Sequence, residues 1–158
     1  MATSNKNLST FSGTNIGKIN DKKFGIVVSE WNSEITDALL EGAYSTLLEL
    51  GANSKNIIQK HVPGSFELTL GAQWLAQDND IDAVICLGCV IQGETPHFDY
   101  ICQAVAKGII DVGLKFNKPV IFGVLTTLNK QQALDRAGGR HGNKGDEAAV
   151  TAVKMLGF

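Results

Sequence analysis

The stretch Ala83-Val84-Ile85-Cys86-Leu87-Gly88-Cys89-Val90-Ile91 decides the fold. A short, unbroken apolar run ended by the polar loop Gln92-Gly93-Glu94-Thr95-Pro96 reads as a strand covered on both faces. The same signature recurs on either side of it. Phe24-Gly25-Ile26-Val27-Val28, Ile57 to Val62, and Val120 to Leu125 after Pro119 each read as a strand. Helices fit between them. One runs from Ser33 to Leu50, with Asn32 as its cap and Gly51 as its stop. Others cover Ser65 to Gln77 after the turn Pro63-Gly64, and His97 to Phe116. Asn129 with Gln132 resembles a capping box opening a helix that ends at Gly138-Gly139. Asn143 to Met155 forms the last helix, acidic at its start and basic at its end, as the helix dipole favours. Strands alternating with helices predict an α/β fold: a three-layer αβα sandwich around a mainly parallel, four-stranded sheet.

At 158 residues the chain fits one domain. Residues 1–22, rich in Ser, Asn, Thr, Gly and Lys, read as a flexible N-terminal arm, and 23–158 as the folded domain. Fourteen basic and sixteen acidic side chains give a net charge of −2, so no global field attracts nucleic acid or an anionic membrane. The N-terminus carries no secretory signal, and no apolar stretch reaches membrane-spanning length. Three cysteines, Cys86, Cys89 and Cys102, form an odd set in apolar surroundings, which suits buried thiols in a cytoplasmic protein. Cys86 and Cys89 have the CxxC spacing, but three apart on a strand they face opposite ways and share neither a metal nor a disulfide. His61, His97 and His141 lack paired ligand spacing. No metal and no cofactor are expected.

The first helix is apolar over a wide arc. Ile35, Ala38, Leu39, Ala43, Leu47 and Leu50 make one stripe, and Leu40, Tyr44 and Leu48 make a second row. Either a second packing partner or a broad core contact accounts for that width.

In open parallel sheets, ligands bind beyond the carboxyl ends of the strands. Four segments stand there: Glu30-Trp31-Asn32, Pro63 to Glu67, Gln92 to His97, and Thr126-Thr127. Trp31 offers a flat platform for a heterocycle, or else fills the core. Ser65 and Glu67 either bond a polar ligand or cap their helix. Glu94 and Thr95 precede a helix N-terminus, where free amides bind phosphate. His97 stands at the same end, either structural or placed for proton transfer. Lys130, Arg136, Arg140, His141 and Lys144 gather in one stretch against one acid, Asp135. That cluster suits an anionic ligand or is a solvated basic turn.

Four stretches together resemble the lumazine synthase family: Val62 to Glu67, Leu87 to Tyr100, Phe122 to Thr127, and Arg136 to Gly145. The resemblance runs from Phe24 to Phe158 and implies a flavodoxin-like strand order. It also implies a reaction, 6,7-dimethyl-8-ribityllumazine synthesis in riboflavin biosynthesis. In it 5-amino-6-(D-ribitylamino)uracil condenses with 3,4-dihydroxy-2-butanone 4-phosphate, releasing phosphate and water without a cofactor. By resemblance, Trp31 stacks on the pyrimidine, and Ser65, Phe66 and Glu67 hold the ribityl chain and ring edge. Cys89, Val90 and Ile91 contact the ring through backbone groups. Glu94, Thr95 and Arg136 bind phosphate, and His97 transfers the proton. Phe122 and Lys144 reach the site from an adjacent subunit. Trp31 stands where Phe is frequent, and Gln92 where Arg is common. The family implies a homo-oligomer, a pentamer, twelve of which close into a 60-subunit shell in many members. Riboflavin synthase is a candidate cargo. The alternative is a non-catalytic shell protein that binds flavin or lumazine.

Overall fold

The computed structural model describes residues 18–158. Most of the expected arm, residues 1–17, lies outside the described residues. Its last part is tied down: Ile19 is buried in the core, and Lys22 pairs with Asp82.

The elements follow in chain order as β1 (Phe24–Ser29), α1 (Ser33–Glu49), β2 (Ile57–Val62), α2 (Leu68–Ala76), β3 (Ala83–Ile91), α3 (His97–Phe116) and β4 (Val120–Thr127). Then come α4 (Lys130–Leu134), β5 (Ala137–Gly139), β6 (Gly142–Asn143) and α5 (Lys144–Leu156). The main sheet is wholly parallel in the order β2-β1-β3-β4. The chain steps one way from β1 to β2, then back past β1 to β3 and β4. Crossovers of one hand put α1 on one face and α2 and α3 on the other when the direction reverses. The core divides accordingly. Ile26, Val28, Ile85 and Leu87 pack with α1 and α5, while Val27, Val84, Cys86 and Val124 pack with α2 and α3. Burying each such side chain contributes roughly 1.5–3 kcal/mol. The three-layer sandwich is thus set by strands apolar on both faces.

Cys86 and Cys89 fall in opposite core layers, as their spacing predicts. On α1, Leu40 and Tyr44 pack partly buried against the core, so a broad core contact accounts for much of its second row; Leu48 stays exposed. The approach of α5 to α1 requires Gly145, since a Cβ there would stand 1.9 Å from the Leu39 carbonyl oxygen.

Three local expectations need correction. The segment from Ser65 opens as a 3-10 turn, Ser65–Glu67, before α2 begins. The helix after Asn129 stops at Leu134, and residues up to Asn143 form the antiparallel β5–β6 hairpin. Its opening is as the capping box suggests: Asn129 Oδ1 accepts from the Gln132 amide at 2.9 Å, although Gln132 takes the Leu128 amide in return. Asn32 stands at the N-cap position, but its side chain makes no capping bond.

Candidate active site

Between β1 and β3 the chain leaves the sheet in opposite directions, towards α1 and towards α3. A crevice opens there at the carboxyl ends of the strands. It forms a cleft of about 620 Å3 lined by Trp31 and Asn32 after β1, Gly64 to Glu67 after β2, and Cys89, Val90 and Ile91 at the end of β3. His97 and Ile101 from the first turns of α3 complete it. Eight of the predicted residues therefore meet in one place: Trp31, Ser65, Phe66, Glu67, Cys89, Val90, Ile91 and His97.

Trp31 is 74% exposed, so it does not fill the core; its indole is a free platform at the mouth. Two backbone bonds lead up to it, from the Glu30 amide to the Val62 carbonyl at 2.8 Å and from the Trp31 amide to the Pro63 carbonyl at 3.1 Å. Phe66, also exposed, gives the cleft a second aromatic wall. Glu67 stands at the N-cap position of α2, but neither its side chain nor that of Ser65 makes a capping bond. The Ser65 hydroxyl is buried without a hydrogen-bond partner and is turned under the floor towards Gly88, where a Cβ would stand 2.8 Å from it. Ser29 Oγ, also buried and unpartnered, flanks the same spot. Burial pushes the Cys89 thiol up to about 11, and the Cys86 thiol higher still, so neither offers a thiolate at neutral pH.

The turn Gln92 to Pro96 is exposed between β3 and α3, fixed at its root by the Gln92 amide on the Thr127 carbonyl at 2.8 Å. It presents Glu94 and Thr95 at the N-terminus of a twenty-residue helix. Pro96 sits at the N-cap, one position before the first helical turn.

The remaining predicted residues lie elsewhere in this chain. Phe122 and Lys144 line a second cavity, of about 790 Å3, along the free edge of β4 between α3 and α5. Arg136 does not line that cavity but is bonded to Lys144 beside it, its carbonyl accepting from the Lys144 amide at 2.8 Å. The basic stretch is less basic than its sequence suggests. Lys130 pairs with Glu34, Arg140 with Asp135 at 2.8 Å, and Lys144 with Glu147 at 2.5 Å. Arg136 has no carboxylate partner among the described residues; its Nη1 donates to the Gln132 carbonyl at 2.9 Å. That leaves a guanidinium available for an external anion.

Asn32 and Gly64, which fall within the segments expected beyond the strand ends but were given no role of their own, also line the cleft, as does Ile101, which was not singled out. Ile101 had a signal in the sequence, standing one helical turn after His97 on the same face. Asn32 was masked by its fitness as a cap.

Fold and cleft together define the class: a doubly wound α/β protein of flavodoxin-like strand order, with its cleft at the topological switch point. The sequence pattern of the 6,7-dimethyl-8-ribityllumazine synthase family matches residues 21–158. The chain is 66% identical over 156 residues to the 6,7-dimethyl-8-ribityllumazine synthase of Cytophaga hutchinsonii, covering 99% of this chain and 98% of that one. It is 55% identical over 158 residues to the same enzyme of Parabacteroides distasonis, covering 100% and 99% of the two. With that of Flavobacterium johnsoniae the identity is 53% over 155 residues, covering 98% and 82%. The chain belongs to the 6,7-dimethyl-8-ribityllumazine synthase family.

Proposed function

We propose that this protein condenses 5-amino-6-(D-ribitylamino)uracil with 3,4-dihydroxy-2-butanone 4-phosphate to 6,7-dimethyl-8-ribityllumazine, the synthase step of riboflavin biosynthesis. The observation that carries the reading is the single cleft that joins the Trp31 platform, the Phe66-Glu67 turn and His97. Trp31 stacks on the pyrimidine. Ser65, Phe66 and Glu67 hold the ribityl chain, and the ends of β3 at Cys89, Val90 and Ile91 meet the ring edge through main-chain groups. The phosphate lies at Glu94 and Thr95 before α3, balanced by Arg136. His97 moves protons as the imine forms, phosphate leaves and the ring closes.

No cofactor is required by this chemistry. Amine and carbonyl react readily once held together, and positioning alone supplies up to about 7–11 kcal/mol in well-oriented reactions.

Phe122, Arg136 and Lys144 serve the cleft of a neighbouring copy. Two unlike apolar faces support that arrangement. Leu70 and Trp74 are exposed on the outer side of α2, with Phe66 exposed in the turn just before it, while Ile110, Leu114, Phe122 and Met155 are exposed around the β4 edge. A contact between unlike faces propagates from head to tail and closes into a ring, here a pentamer. The short β5–β6 hairpin, with only Arg140 and His141 between its strands, favours rings that assemble further into the 60-subunit shell. Riboflavin synthase is the partner such a shell would enclose. A cytoplasmic location suits the three free cysteines. Among the described residues, no helix is long and apolar enough to cross a membrane.

The test mixes purified protein with both substrates and follows phosphate release and lumazine fluorescence. Acceleration well above the uncatalysed reaction is expected. None, from assembled protein that still binds the aminopyrimidine, would leave a lumazine-binding shell protein instead.

A further inference from the structure

We infer that Asn32 is a positioning residue that ties the end of β1 to the end of β3 and thereby holds Trp31 over the cleft. The inference rests on reading the cleft as the pyrimidine site.

Asn32 is one of two residues other than glycine with positive φ among those described, at φ 63 and ψ 44. The other, Asn117, ends α3, where a left-handed residue is a common stop signal. Asn32 instead begins a helix, an unusual place for that conformation. Its carbonyl accepts from the Ile35 and Thr36 amides at 2.8 and 3.1 Å, so the left-handed turn starts α1. Its side chain, free of capping duty, reaches across the crevice, and Nδ2 donates to the Cys89 carbonyl oxygen at 3.0 Å.

That carbonyl lies beyond the last β1–β3 pair, Val28 with Leu87. The amide side chain therefore continues the link between the two strands after their backbones have parted. Chemistry fixes its orientation, because a carbonyl oxygen can only accept and the nitrogen must face it. Trp31 is held between two anchors. On one side its own amide is bonded to Pro63 after β2, and on the other Asn32 is bonded to β3. With its indole mostly in solvent, Trp31 gains little orientation from packing. The backbone on which it stands supplies that orientation.

The chain has two tryptophans, so a Trp74→Phe background leaves Trp31 as the sole reporter. Within it, Asn32→Gly keeps the left-handed backbone accessible and removes the tether. Three results are expected together. The time-resolved anisotropy of Trp31 shows faster local motion without any ligand. The affinity for the aminopyrimidine, read by fluorescence quenching, falls about three- to tenfold, the range of an aromatic stacking contact. In turnover, KM for the aminopyrimidine rises while kcat and KM for the sugar phosphate hold. Asn32→Asp, of the same size and tolerant of the left-handed region but ionised and unable to donate, behaves alike and serves should the glycine variant fail to assemble. Unchanged anisotropy and quenching in an assembled variant would overturn the inference. A Trp74→Phe parent that assembles as the unmutated protein does but binds no aminopyrimidine would instead overturn the functional reading, and the anisotropy would still decide whether the tether holds Trp31.

Discussion

The Lys144 amide donates to the Arg136 carbonyl at 2.8 Å, so both cations rise from one rung where the β5–β6 hairpin meets α5. Neither lines the Trp31 cleft of its own chain. Lys144 is engaged by Glu147, whereas among the described residues the Arg136 guanidinium has no carboxylate partner and donates to the Gln132 carbonyl, which makes Arg136 the stronger candidate for the substrate phosphate.

Arg136→Ala should therefore raise KM for the sugar phosphate by about 10- to 100-fold, the worth of a hydrogen bond to a charged group. The aminopyrimidine KM should hardly move. Steady-state kinetics with each substrate varied in turn decides it, and a change confined to the aminopyrimidine would show that the phosphate had been placed wrongly.

His97→Ala should lower kcat by roughly 10²–10⁴-fold without abolishing turnover, because proton transfer adds to positioning rather than replacing it. Single-turnover rates measured against the uncatalysed reaction provide the check. Complete loss in a correctly assembled protein would mean that positioning is not the main contribution.

Strand positions were legible because the signal was simple. The bounds of β2, β3 and α3 follow directly from apolar runs and turn residues, and the opposed faces of Cys86 and Cys89 follow from a strand's period of two. The hairpin at Ala137 to Asn143 was not legible. Its glycines and cations carry no apolar alternation, and β5 bulges at Gly138, whose φ of +105 suits glycine. The apparent basic cluster misled because Glu34, far away in sequence, neutralises Lys130. Asn32 misled for a different reason. Local preference pointed to a helix cap, and the strand beside it in space offered the carbonyl instead.

Gly88→Ala should destabilise the protein by about 1–3 kcal/mol through overpacking. Its methyl would stand 2.8 Å from both Leu68 Cδ1 and Ser65 Oγ. Since Ser65 opens the turn that carries Phe66 and Glu67, the aminopyrimidine KM should rise as well. Thermal melts and the KM of each substrate test the two parts separately, and a variant with wild-type melting would rule out the crowding.

Asp135 anchors the hairpin beside Arg136. A hydrogen bond from Gln131, then the charges of Arg140 and His141, hold its carboxyl below the usual range. A lowered folded value means the carboxylate stabilises the hairpin above the unfolded value of about 3.9, and that this support is lost as pH falls through the folded value. Hydrogen exchange of residues 137–143 should thus quicken in acid relative to the sheet, and Asp135→Asn should show the quickening already at pH 7. Equal protection in both proteins at neutral pH would contradict the anchoring role.

In the proposed assembly the Trp31 cleft of one copy and the Arg136–Lys144 rung of the next make one active site. The most direct measurement co-expresses two defective proteins, Trp31→Ala/His97→Ala and Arg136→Ala/Lys144→Ala, and follows lumazine formation by the mixed assemblies. Random assembly in equal amounts pairs an intact cleft with an intact rung at about one site in four, so about a quarter of wild-type activity should return. Activity no higher than the mean of the two defective parents would place the whole site within one chain and rule out a site shared between copies.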